Sequence, residues 1–283
     1  MSKAHRLLCI DAGNTRVKWA SVLVDEPALA GARHNAVPRT PAHVVLNEGA
    51  IDSTLFKNSG SLNEQLALLL NADLMQSVDR VLFCNVLGEG FRVAMEQACH
   101  RLNRPCDTLA VSGSGWMASN YTNPGQLGLD RWAACLAVAG ETQAQANLVV
   151  SFGTATTLDA LVQHNDGWLH RGGFIVPGVS TMLNSLHVGT AQLPLAVPVH
   201  QSWPTSTEQA IGAGAVRMQA AMVQSLVGEL QAELSSEVQV WFSGGHASDV
   251  LPLFANALLI NHAVFKGLVL DFAVRSGGNN HEA

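Results

Sequence analysis

RLLCIDAGNTRVKWASVL, residues 6–23, and NLVVSFGTATTLDALV, residues 147–162, decide the fold. In each, an apolar run meets a short turn in which glycine stands beside Asn or Thr, and the chain leaves the turn in a second run with side chains at strand spacing. Each stretch therefore reads as a strand, a tight turn and a second strand. Two such hairpins about half a chain apart predict a duplicated fold. Between them the sequence predicts a Pro/Gly/Asn-rich connection over 31–60, a helix near 61–77, a strand at Val81–Asn85, a helix near 89–102 and a strand at Thr108–Ser112. After SNYTNPGQLG (119–128), residues 129–140 (LDRWAACLAVAG) read as an Ala-rich helix. Beyond the second hairpin lie a Gly/Pro segment, RGGFIVPG, a long helix from about 206 to 235, a strand VQVWF, a turn SGGH and two further helical stretches. Strands alternating with helices indicate an α/β architecture, with a domain boundary expected near residue 120 that divides the chain into 1–120 and 121–283.

Composition narrows the function. The chain has 283 residues, 48% hydrophobic and only 13% charged, where an ordinary soluble domain carries about a quarter. Disorder is excluded, and the length allows two domains without disulfide or metal staples. A net charge of −6 argues against nucleic acid and anionic membranes as partners, because both select a basic face. Five cysteines without a CxxC pair read as reduced thiols of a cytoplasmic protein. Only four apolar residues follow Arg6 before Asp11, too few for a signal-peptide core, and Pro and Gly interrupt the uncharged stretch 172–207, so no spanning helix is expected. Eleven histidines show no HExxH or other ligand spacing, and neither GxSxG nor the P-loop string GxxxxGK[ST] occurs.

Four places can carry chemistry. In DAGNTRVK, residues 11–18, the turn can aim backbone N–H groups at an anion, Lys18 adds a cation, and Asp11 can hold Mg²⁺. The same letters also suit a plain hairpin turn. SFGTATT, residues 151–157, offers Gly153 and the hydroxyl of Thr154 without a carboxylate, and threonine is equally ordinary strand chemistry. SGGH, residues 243–246, gives glycine backbone against which an adenine can lie. In GLDRW, residues 128–132, Asp130 is either a helix-end acid or a general base, and Arg131 either a surface arginine or a carboxylate clamp.

DAGNT, Tyr121-x-Asn123-Pro124, GLDRW, FGTATTLD, GGFIVPG, TAQLP (190–194), TEQAIG (207–212) and SGG stand in the order and rough spacing of type III pantothenate kinases, and the chain resembles that family over essentially its whole length. The resemblance implies the actin, hexokinase and acetate-kinase fold group, in which two duplicated ribonuclease H-like domains close on ATP in an interdomain cleft. It implies ATP-dependent phosphorylation of pantothenate to 4′-phosphopantothenate, the first step of coenzyme A biosynthesis. Residue by residue, it implies Asp11 beside the γ-phosphate and its Mg²⁺, with Ala12, Gly13, Asn14, Thr15, Arg16, Val17 and Lys18 as the first ATP loop and Gly153 and Thr154 in the second. It further implies Tyr121, Gly128, Leu129, Asp130, Arg131 and Thr207 around pantothenate, with Asp130 accepting the proton of the primary alcohol and Thr190 a rival to Thr207. Family members are homodimers, so dimerisation is expected. Where the family usually has an aspartate associated with a monovalent cation, potassium or ammonium, this chain has Ser151, which implies reduced or absent potassium dependence. Two other readings stand beside this one: a kinase or phosphatase of the same fold acting on a sugar or acetate, and a non-catalytic accessory protein that binds nucleotide or pantothenate.

Overall fold

A computed structural model describes residues 4–26, 28–29, 37–57, 62–111 and 116–278. The chain divides into two compact units, the first reaching to Glu141 and taking in the C-terminal segment from Ala263, the second running from Thr142 to His262.

In the first unit, β1 (Ala4–Ala12) is the centre of a five-stranded sheet, and its run Leu7–Ile10 is wholly buried, as a strand covered on both faces requires. β2 (Arg16–Asp25) and β3 (His43–Asp52) follow antiparallel, while β4 (Arg80–Asn85) and β5 (Cys106–Thr108) lie parallel on the other side, giving the order β3-β2-β1-β4-β5. Helices α1 (Leu62–Leu69) and α2 (Glu89–Arg101) bury Leu66, Leu69, Phe91 and Met95 against Leu8, Ile10 and Phe83 of the sheet. A short strand β6 (Met117–Ser119) leads to α3 (Leu129–Glu141).

The second unit repeats the plan. Strands β7 (Ala146–Phe152), β8 (Ala155–His164) and β9 (Gly167–Pro177) form an antiparallel meander, and β10 (Val238–Ser243) and β11 (Leu258–Leu259) add parallel on the far side of β7. Among the strands of the second unit itself, the order β9-β8-β7-β10-β11 carries the same sequence of directions as the first sheet, so the duplication predicted from the two hairpins is present in the topology. Between β9 and β10 lie α4 (Val179–Gly189) and the long α5 (Thr207–Leu234), whose Val223, Leu226 and Leu230 pack on Leu148, Val150 and Phe242. A buried pair, His170 Nε2 to Asp159 Oδ1 at 2.7 Å, ties β9 to β8.

Several expectations need correction. The connection expected over 31–60 contains β3, an edge strand with mostly exposed or half-buried side chains whose Gly49 lies under the Trp19 ring, so it lacks the apolar alternation that marks a strand. RGGFIVP, residues 171–177, is the second half of β9, where Gly172 at φ +132° lies beside a register shift between Ala160 and Leu161, and the Gly178 that follows caps the next helix. The helix expected over 61–77 is broken at Asn71, whose Oδ1 accepts from the Leu74 N–H at 2.9 Å and caps a separate helix Ala72–Gln76. The strand expected at Thr108–Ser112 is displaced toward Cys106, and Ser112 lies outside the described residues. The contacts divide the chain at Glu141 rather than near residue 120, and the last helix returns to the first unit.

That return depends on small residues. α3 is buried from Arg131 to Gly140, and α6 (Ala263–Gly278) lies so close to it that a Cβ on Gly267 would come within 2.1 Å of the Ala133 carbonyl oxygen. Gly267→Ala is therefore expected to cost about 1–3 kcal/mol by overpacking. Gly228→Ala, on α5 with nothing within 4 Å of the new Cβ, should instead gain about 0.5–1 kcal/mol. Urea denaturation midpoints check both signs, and equal shifts in one direction would contradict the packing argument.

Candidate functional site

In the first unit, the end of β1 carries the charge. Asp11 is in register with Lys18 on β2 and with Cys84 on β4, so the three side chains form a row on one face of the sheet. Lys18 Nζ lies 3.8 Å from Asp11 Oδ2. Asp11 is only 8% exposed, and burial pushes its pKa up to about 6; Lys18 draws it down and Asp130 pushes it further up. Burial, with the two carboxylates behind it, also holds the Cys84 thiol well above its ordinary range and hence neutral. No local signal in the sequence sets Cys84 apart from the other cysteines; the strand register puts it beside Asp11.

The turn after Asp11 is held by its own backbone and by the segment behind it. Gly13 N–H donates to Arg16 O at 3.1 Å, and a Cβ on Gly13 would stand 3.0 Å from that oxygen. Ser53 binds the turn twice, through its N–H to Thr15 O at 2.9 Å and its Oγ to Asn14 O at 2.5 Å, and Lys57 Nζ donates to Asn14 O at 2.6 Å. Lys57 brings a second cation to this loop, and no local sequence signal links it to a turn 43 residues earlier. Ala12 and Val17 are wholly buried and have only backbone to offer a ligand, while Arg16 is exposed and lies opposite Asp52 of β3.

Asp130 is the second residue of α3, and its Oδ1 accepts from the Arg131 N–H at 2.9 Å. A Cβ on Gly128 would approach that oxygen to 2.7 Å, so glycine there keeps room for the carboxylate. Arg131 is buried rather than a surface arginine; its Nη1 donates to Tyr121 Oη at 2.8 Å and its guanidinium lies 5.7 Å from the Tyr121 ring centroid. Leu129 is half-buried at the helix start. Asp11, Lys18 and Asp130 thus form one electrostatic group, and Tyr121 with Arg131 a second at the same helix end.

In the second unit, three glycines allow close backbone approach around the β7–β8 turn. Gly153 N–H donates to Ala155 O at 3.1 Å, a Cβ on Gly178 would meet Gly153 O at 2.1 Å, and Gly244, at φ +92°, would meet Phe152 O at 2.4 Å. The Thr154 carbonyl accepts from Gly178 N–H and from Thr181 Oγ1 at 2.6 Å, which pins the start of α4 to the turn. Ser151 Oγ lies 2.8 Å from Ser243 Oγ and is in register with Thr157, so the row corresponding to Lys18, Asp11 and Cys84 is here made of hydroxyls. Thr207 is the exposed first residue of α5, capped by Ser206, whereas the Thr190 hydroxyl is engaged with Leu186 O at 2.8 Å and Leu193 N at 3.3 Å.

Comparison with known proteins agrees over most of the chain. The family model for type III pantothenate kinase matches residues 7–229. A type III pantothenate kinase from Burkholderia cenocepacia is 31% identical over 281 residues, 96% of this chain and 94% of its own. One from Laribacter hongkongensis is 31% identical over 266 residues, 94% of this chain and 95% of its own. Among solved structures, a Baf family protein from Campylobacter jejuni shares the fold with a TM-score of 0.59 and 16% identity, covering 96% of this chain and 99% of its own. The sequence match from the first strand into the long helix, and the full-length relatives, show that the chain belongs to the type III pantothenate kinase family.

Proposed function

We propose that the protein transfers the γ-phosphoryl group of ATP to the 4′-hydroxyl of pantothenate, the first step of coenzyme A biosynthesis. The observation that carries this reading is the group at the end of β1: a buried carboxylate, a lysine 3.8 Å away, and a second carboxylate close enough to raise the first one's pKa. Phosphoryl transfer runs through a loose transition state, so alignment and charge neutralisation supply most of the acceleration. Lys18 and the Asn14 backbone N–H hold the transferring phosphate. Asp130 takes the proton of the pantothenate hydroxyl, while Arg131, oriented by Tyr121, binds the pantothenate carboxylate. Leu129 and Gly128 complete the pantothenate contacts at the start of α3.

Asp11 suits a magnesium ion, since it is a hard oxygen donor removed from water beside another carboxylate, with Lys18 at 3.8 Å. Bound there, the ion supplies positive charge to the phosphates. Ser151 bonded to Ser243 offers only neutral oxygens, which supports a reaction independent of potassium or ammonium. A homodimer is supported by the apolar exposure of the second unit: Trp203 is 89% exposed beside a depression of about 510 Å³ lined by Ala210, Gly214 and Arg217, and Val188 is 74% exposed. A cytoplasmic site of action fits five free cysteines, and among the described residues no helix is long and apolar enough to cross a membrane.

Steady-state assays of ADP release test these roles. Asp130→Asn should lower kcat by about 10²–10⁴-fold with KM for ATP little changed. Arg131→Ala should chiefly raise KM for pantothenate, and an unchanged KM would remove the clamp. In potassium-free buffer, added KCl should leave the rate unchanged at constant ionic strength; a steep rise would contradict the neutral hydroxyl row. Asp11 gives a stability prediction with a definite sign. Its folded pKa of about 6 lies above the ordinary 3.8, so the folded protein keeps a proton that the unfolded chain has lost, and stability falls as pH rises through that window by up to about 3 kcal/mol. In metal-free buffer, Asp11→Asn should therefore be more stable than wild type by about 1–3 kcal/mol at pH 8, with the gain disappearing below about pH 4. Denaturation at the two pH values checks this, and a loss of stability at pH 8 would contradict it.

A further inference from the structure

A serine, a histidine and an aspartate stand in line in the second unit, the histidine being the last residue of the SGGH turn. Ser180 Oγ lies 2.5 Å from His246 Nε2, and His246 Nδ1 lies 2.7 Å from Asp249 Oδ2. With Nδ1–H donated to the carboxylate, Nε2 is left as an acceptor facing the serine hydroxyl, which is the arrangement that turns a serine into a nucleophile. The backbone fixes each member. β9 ends at Pro177, Gly178 makes the corner, and Ser180 is the second residue of α4, exposed to solvent. His246 N–H donates to Phe152 O at 3.3 Å, and Asp249 N–H to His246 O at 3.1 Å. The chain carries no GxSxG, and Ser180 instead stands in the first turn of the helix that follows the strand and Gly178. The first intrahelical bond of α4 is Met182 N–H to Gly178 O at 2.9 Å, so the amides of Ser180 and Thr181 belong to the first turn, whose N–H groups have no acceptor within the helix.

We propose that Ser180, His246 and Asp249 form a second active centre that hydrolyses short-chain carboxylic esters through an acyl-serine. Ser180 Oγ attacks the ester carbonyl carbon and its proton passes to His246 Nε2. The tetrahedral oxyanion collapses with cleavage of the ester C–O bond, and the alcohol leaves with the proton from Nε2. Water, giving its proton to Nε2, then attacks the acyl carbon; the carboxylic acid departs and Ser180 regains its hydrogen. Asp249 keeps the imidazole in the required tautomer throughout. No metal, oxidant or nucleotide enters the balance.

The test uses the intact wild-type chain without ATP or pantothenate. A fluorophosphonate should form one adduct per chain, with loss of fluoride, and peptide mapping should place it on Ser180. p-Nitrophenyl acetate should give a burst of about one equivalent of p-nitrophenolate. His246→Ala should slow labelling by about 100-fold or more and Ser180→Ala should abolish it, each at an unchanged melting temperature. If His246→Ala does not fold, His246→Gln takes its place. No adduct on folded wild type, an adduct confined to other serines, or an adduct on Ser180 that forms equally fast without the imidazole would each overturn the proposal.

Discussion

A carboxylate held out of water at the end of a central strand is the constraint around which the first unit is arranged. Asp11 sits near the end of β1, flanked in the sheet by Lys18 and Cys84 and approached by Asp130 from the start of α3. Burial makes its charge unfavourable, and the neighbouring carboxylate makes it more so. Such a site is costly for the folded chain when empty of cations and favourable once positive charge arrives, which is the property a phosphate-handling centre needs. The sheet, the turn anchored by Ser53 and Lys57, and the small residues that let α3 and α6 approach all serve to fix these groups.

The duplication shows what was kept and what was changed. Asp11 stands two residues before the glycine of the first turn, and Ser151 two residues before the glycine of the second. In equivalent sheets with equivalent strand directions, the row Lys18, Asp11, Cys84 in one unit corresponds to Thr157, Ser151, Ser243 in the other. One turn thus carries titratable charge; the other offers backbone and hydroxyls. This division explains why glycine accompanies both turns while titratable chemistry accompanies one.

The hairpins and the long helix could be read from the sequence because their patterns are local. DAGNT and GTATT announce turns through glycine, and α5 shows as a long run free of proline. β3 and β9 escaped because an edge strand and a bulged strand are rich in exposed positions and glycine, the letters that otherwise mark loops. The unit boundary escaped because the pairing of α3 with α6 joins residues more than a hundred positions apart. In the site, Asp11, Lys18, Asp130 and Arg131 were visible as letters, and their ordered set pointed to the family. Lys57 and Cys84 were not, since their place beside the turn and beside Asp11 arises from packing and strand register.

The account stands most directly on the identity of the product. Phosphorus NMR of wild-type protein with Mg-ATP and pantothenate should show a phosphomonoester resonance growing in step with ADP, and no ADP when pantothenate is omitted. ATP that stays intact with pantothenate present, or ADP and inorganic phosphate formed without it, would contradict the account.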